Sequence, residues 1–142
     1  MSIENEDDMN AARAALNAWL AAFNGKDLDG LFKLYTQDSV YANANAPLKL
    51  GLVNVKPWYS SSIPNLKGRL LHKEEAAWQS GNLAGILGCY YFEPPAEEAA
   101  SGKEGSTGRG FLLFRKEEGE WRMAFDMDNT PEDVQPAWFA SP

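Results

Sequence analysis

The stretch Ala18-Trp19-Leu20-Ala21-Ala22-Phe23-Asn24-Gly25-Lys26-Asp27-Leu28-Asp29-Gly30-Leu31-Phe32, followed by Leu34-Tyr35-Thr36-Gln37-Asp38-Ser39-Val40-Tyr41, decides the fold. Apolar residues at helical spacing run up to Asn24, Gly25 marks a stop, and Asp27 stands where a second short helix needs its cap. Strong helix formers and a broad apolar face extend the first helix over 9–24. The second helix is expected over 27–35 and a strand over 38–45, bounded by Pro47. A third helix starts near Leu52 and carries Trp58 and Tyr59, with Pro57 tolerated only in its first turns. After it the period becomes β, with strands over 69–79, 82–93, 107–116 and 120–128. They are joined by Ser80-Gly81, a long loop over 94–108, and Glu117-Glu118-Gly119. Helices first and antiparallel strands after them describe an α+β domain, not alternating βαβ units.

Composition narrows the class. At 142 residues the chain fits one domain, read as 9–142 behind a flexible acidic segment 1–8. A net charge of −7 argues against nucleic acid or an anionic membrane as partner, because phosphate binding needs a basic face. No apolar run approaches the ~20 residues that cross a bilayer, and the acidic opening does not read as a secretory signal. One Cys, Cys89, and one His, His72, leave too few donors for a zinc site of N and S ligands, and no spacing suggests a carboxylate-held metal. A cytoplasmic protein without metal or cofactor is expected. The 94–108 loop is charged and rich in Gly and Pro, and reads as a hairpin extension or a lid over a pocket. Trp138 and Phe139 near the end of the chain are expected to pack on a partner subunit or a pocket rim.

The helix–Gly–Asp–helix–strand opening resembles that of the nuclear transport factor 2 superfamily, which includes ketosteroid isomerase, limonene epoxide hydrolase, scytalone dehydratase and the SnoaL-like polyketide cyclases. The Trp121-Arg122-Met123-Ala124-Phe125-Asp126 ending of the last strand is similar to its SnoaL-like branch. The resemblance implies a cone-shaped curved antiparallel sheet wrapped around a long N-terminal helix plus two shorter helices, with a deep apolar pocket. It also implies a homodimer formed by the outer face of the sheet. Matched to ketosteroid isomerase, this chain has Trp19 for the helix-one Tyr, Asn43 for the carboxylate base and Phe111 for the second acid, none of which supplies the same chemistry. Matched to limonene epoxide hydrolase, Tyr41-Ala42-Asn43 reproduces a Tyr-x-Asn, but Gly88-Cys89-Tyr90-Tyr91-Phe92 lacks the Arg-x-Asp. The last strand then offers Asp126 if the hairpin turn sets the alignment, or Met123 if Trp-Arg does. Both catalytic sets are incomplete.

Asp126, Tyr41 and Asn43 are therefore the candidates for chemistry, and Trp19, Tyr41, Asn43, Trp58, Tyr59, Tyr91, Arg109, Phe111 and Asp126 the candidate ligand contacts. A two-residue turn at Glu117-Glu118 or a four-residue turn over 116–119 would set Arg109 opposite Asp126, as an anchor for a ligand carbonyl or carboxylate. A three-residue bulged turn would set Arg109 opposite residue 127 instead. Alternation along the strand, with Trp121, Met123, Phe125 and Met127 on one face and Arg122, Ala124, Asp126 and Asp128 on the other, favours a solvated acidic face. His72, beside Lys73, Glu74 and Glu75, reads as a surface residue. Three functions follow from the resemblance: a binding protein for a small apolar or aromatic molecule; a lyase, isomerase or epoxide-type hydrolase on a small cyclic substrate; or a dimerising module whose cavity is filled by its own side chains.

Overall fold

The computed structural model describes residues 2–140. Met1, Ser141 and Pro142, the outer limits of the acidic segment and of the domain, lie outside the described residues. The first helix, α1 (Glu6–Asn24), starts earlier than its apolar face suggests, because Asn5 caps it by accepting the Asp8 N–H at 3.0 Å. Ile3 bridges Gln79, so the start of the acidic segment lies along a strand edge. At the other end, Asp27 N–H bonds the Ala22 carbonyl and Lys26 N–H that of Phe23, a Schellman closure. Lys26 (φ 56°), not Gly25, takes the left-handed position. Asp27 then accepts the Gly30 N–H and caps α2 (Leu28–Phe32).

The six strands are β1 (Tyr35–Ala42), β2 (Lys49–Leu50), β3 (Arg69–Ser80), β4 (Leu83–Glu93), β5 (Ser106–Glu117) and β6 (Glu120–Asn129). The third helix, α3 (Leu52–Ser62), lies between β2 and β3, and a short α4 (Ala96–Ala100) occupies the 94–108 loop. The sheet is curved and open, in the order β2-β1-β6-β5-β4-β3. Neighbours are antiparallel except β1 and β6, which run parallel. Helix α1 crosses the concave face, where Met9, Ala12, Leu16 and Trp19 are buried against Ile86, Phe114 and Met123.

Two irregularities decide which side chains face inward. The β5–β6 hairpin closes through Glu118 (φ 53°) and Gly119 (φ 82°), a two-residue turn of the primed kind that matches strand twist. This turn pairs Glu117 with Glu120, one residue away from the register of the bulged turn and two from that of the two- or four-residue turns. Further along, Phe114 pairs with Met123 but Leu113 with Phe125, so Ala124 is an extra residue, a β-bulge. Because side chains alternate with a period of two, one extra residue exchanges the faces beyond it. Trp121 and Met123 are buried before the bulge, Asp126 is buried after it, and Met127 is 54% exposed on the outside. The expected acidic solvent face is corrected accordingly. A second bulge on β3, between Glu74 and Ala76, exchanges faces there too.

Candidate functional site

Between α1 and the concave face lies a cavity of about 230 Å³. Helix α1 contributes Leu16, Trp19, Leu20 and Phe23, which share one helix face by their three- and four-residue spacing. Tyr41 comes from β1, Tyr59 from α3, Leu70 and His72 from β3, Tyr90 and Phe92 from β4, Gly110 and Leu112 from β5, and Asp126 and Asp128 from β6. Two glycines let the sheet side chains lie flat. A Cβ on Gly88 would stand 2.3 Å from His72 Nε2, and one on Gly108 would stand 2.3 Å from the Tyr90 hydroxyl.

Asp126 is a buried acid of this lining. It is 8% exposed, and register places it beside Tyr41 on β1 and opposite Leu112 on β5. Among the described residues no hydrogen bond or ion pair reaches its carboxyl; only burial and the Asp128 charge act on it, and together they push it up to about 8. Asp128, two residues on and on the same face, is anchored by the Ala44 N–H at 2.6 Å and, at 3.5 Å, by the Tyr90 hydroxyl. Burial raises its carboxyl too. Tyr35, Tyr41 and Tyr59 cluster nearby. Burial pushes all three phenols up, the Asp126 carboxylate adds to that, and their hydroxyls influence one another. Trp19 Nε1 donates to the Tyr35 hydroxyl at 2.9 Å, so its one donor is already used. Burial lowers the His72 imidazole, against the pull of Glu74 and Glu75, and keeps it neutral at pH 7.

Of the residues expected from the sequence, Trp19, Tyr41, Tyr59 and Asp126 meet at this cavity, and five others lie elsewhere. Arg109 pairs with Asn129, not Asp126, and points to the convex face, where it binds Glu75 at 2.8 Å and Asp133 at 2.9 Å. Phe111 is also convex, packed edge-on against Trp78 at 6.3 Å. Tyr91 packs at a tilt against Phe139 at 5.8 Å, and Lys73 Nζ donates to the Trp138 carbonyl, so the C-terminal aromatics rest on the outside of this chain's own sheet. Asn43, past the end of β1, accepts from Lys49 Nζ at 3.0 Å, and Trp58 lies under the same ammonium at 3.9 Å. His72, Tyr90 and Asp128 join the site without having been predicted. Gly88 and Gly108, glycines inside strands, were the sequence signal that a side chain lies across each position. No residue of the 94–108 loop lines the cavity. Among the described residues no group of three or more His, Cys, Asp or Glu side chains gathers to hold a metal.

Comparison with known proteins agrees with this geometry at the level of fold. The SnoaL-like domain family matches residues 12–126. An NTF2-like protein of unknown function from Pseudomonas putida KT2440 superposes with a TM-score of 0.76 at 16% identity, covering 93% of this chain and 99% of that one. A ketosteroid isomerase-like protein from Erwinia carotovora atroseptica SCRI1043 gives 0.73 at 21% identity, over 87% and 96% of the two chains. An NTF-2 like protein of unknown function from Shewanella oneidensis MR-1 gives 0.71 at 20%, over 84% and 96%. At these identities the likeness is one of fold. No curated protein matches the sequence.

Proposed function

The chain belongs to the SnoaL-like domain family, and on that premise we propose that it binds a compact apolar or aromatic molecule in the α1–sheet cavity, with Asp126 as the polar anchor. The carrying observation is a carboxyl 8% exposed, facing a cavity, with no partner among the described residues. Burying an unpaired acid costs stability, so its retention points to use. The volume of about 230 Å³ lies below the ~300–1,000 Å³ common for drug-sized ligands, which suits a single ring. It also argues against a cavity filled by the chain's own side chains. The pocket is tested by thermal shift with single-ring ketones and epoxides on the wild type and on Gly110→Leu, whose new side chain would occupy the cavity. Stabilisation of the wild type alone supports the reading; an equal response of both proteins sinks it.

The same unpaired carboxyl favours a second reading, acid–base catalysis on a small cyclic substrate. A carboxyl near 8 is still mostly protonated at neutral pH and can donate to a carbonyl or epoxide oxygen, while its conjugate base can accept a proton from carbon. Tyr41, beside it, would orient the substrate oxygen; Asn43, bonded to Lys49, is less suited to that part. Exchange of ring protons of a bound cyclic ketone with D2O, lost in Asp126→Asn, is the expected result, and undiminished exchange in that variant contradicts it.

A homodimer through the convex face is part of the proposal. Trp78 (40% exposed), Leu83 (46%) and Met127 (54%) support it, as apolar surface that a second copy would cover. Sedimentation of the wild type against Trp78→Lys tests it. A cytoplasmic location is proposed too; the one cysteine, Cys89, is buried and free, and no helix among the described residues is long and apolar enough to cross a membrane.

A further inference from the structure

We propose that the ligand of this pocket carries a positively charged nitrogen: Asp126 and Asp128, side by side on β6 and facing aromatic walls, make a receptor for a single-ring organic cation. This rests on reading the cavity as a ligand pocket.

Acids elsewhere on this sheet are matched by bases. Glu75 holds Arg109 at 2.8 Å and Glu74 holds Arg13 at 2.9 Å. The two acids of the cavity are not matched. Asp126 has no partner among the described residues, and Asp128 is held by a backbone N–H and a phenol, neither of them a cation. The titratable groups facing Asp126 are Asp128 on its own strand, Tyr35 and Tyr41 on β1, Tyr59 on α3, Tyr90 on β4 and His72 on β3; α1 and β5 present only apolar groups to it. None of these is positive at neutral pH, since a phenol carries no positive charge and burial lowers the imidazole. An anion entering here would meet two acids and no cation. A neutral ring would leave the buried Asp126 carboxyl protonated and Asp128 without a cation. A cation supplies the missing charge partner in a cavity lined by the rings of Trp19, Phe23, Tyr41, Tyr90 and Phe92.

An ammonium already lies against Tyr41, one ring of this lining, and against Trp58 outside it. Lys49 Nζ sits 5.4 Å from the centroid of the Tyr41 ring and 3.9 Å from that of Trp58. A chain net charge of −7 also favours the approach of a cation over an anion.

The test compares three probes of one shape, benzylammonium, benzyl alcohol and benzoate, by calorimetry between pH 6 and 8.5. Benzylammonium is expected to bind at least tenfold more tightly than benzyl alcohol at pH 8, and benzoate not at all. Its affinity rises with pH by up to about tenfold per unit below the pKa of Asp126 and then levels off, because pairing requires the carboxyl to lose its proton. Asp126→Asn flattens this profile and removes the preference for the cation. Asp128→Asn weakens benzylammonium while leaving benzyl alcohol as it was. Benzyl alcohol binding as tightly as benzylammonium in the wild type, with no pH dependence, overturns the cation assignment and leaves the pocket standing. Silence of all three probes at every pH removes the pocket itself, and the assignment with it.

Discussion

The two faces of one sheet treat charge in opposite ways. On the convex side Arg109 spans Glu75 and Asp133 with three hydrogen bonds, in reach of solvent. On the concave side Asp126 sits in the cavity with no partner among the described residues. Exposed ion pairs contribute little to stability because water and salt screen them and side-chain entropy opposes them. A buried unpaired carboxyl lowers stability whenever it ionises. The contrast separates solvated ion pairs on the surface from a buried acid held at a cost.

The widest gap between the faces is expected from pH. Asp126 is raised in the folded state, from 3.8 to about 8, so the folded protein holds its proton more tightly than the unfolded chain. Stability contributed by this group is full below pH 4, declines as pH rises through 4–8, and is flat above, a fall of up to about 6 kcal/mol. Asp126→Asn should abolish that slope, read as the difference between urea melts of the two proteins from pH 5 to 8.5. His72 is lowered by burial and works in the other direction, its share being lost as pH falls below its unfolded value. Because His72 is common to both proteins, the difference isolates Asp126. Parallel curves would mean that the carboxyl finds solvent or a partner.

A smaller effect, about 3 kcal/mol of destabilisation, is expected from deleting Ala124, since removing the bulge turns Asp126 and Asp128 outward and Phe125 and Met127 inward. Urea melts measure the loss, and titration of the ring probes measures loss of the pocket. Retained probe binding would show that the strand re-forms its bulge elsewhere. Arg109→Ala should do least: the melting temperature scarcely moves, and what change there is disappears in high salt. A large drop would make the convex cluster a structural support rather than a solvated surface.

How far the sequence could be read follows from the range of each signal. Helix starts, caps and strand alternation are local, and so α1, α2 and the four long strands were readable to within a few residues. The pocket residues on regular elements, Trp19, Tyr41 and Tyr59, followed from those elements. Pairing register is not local. Nothing in Trp121-Arg122-Met123-Ala124-Phe125-Asp126 marks Ala124 as an extra residue, and without it the alternation pointed Asp126 and Asp128 at solvent. The same gap misplaced Arg109 and Phe111, which depend on where β5 meets β6. His72 was hidden by its charged neighbours, although Glu74 turns inward to meet Arg13 on α1 and Lys73 turns outward to the C-terminal segment. Gly88 and Gly108 carried the missing information, but only pairing shows which rings they admit.

The most direct measurement is the titration of the Asp126 carboxyl itself, followed by carbon-detected NMR on protein labelled at aspartate and assigned by its absence in Asp126→Asn. A midpoint near 8 is the predicted result. A midpoint near 4 would mean an ordinary solvated carboxylate and would contradict a buried, unpaired acid at the centre of the site.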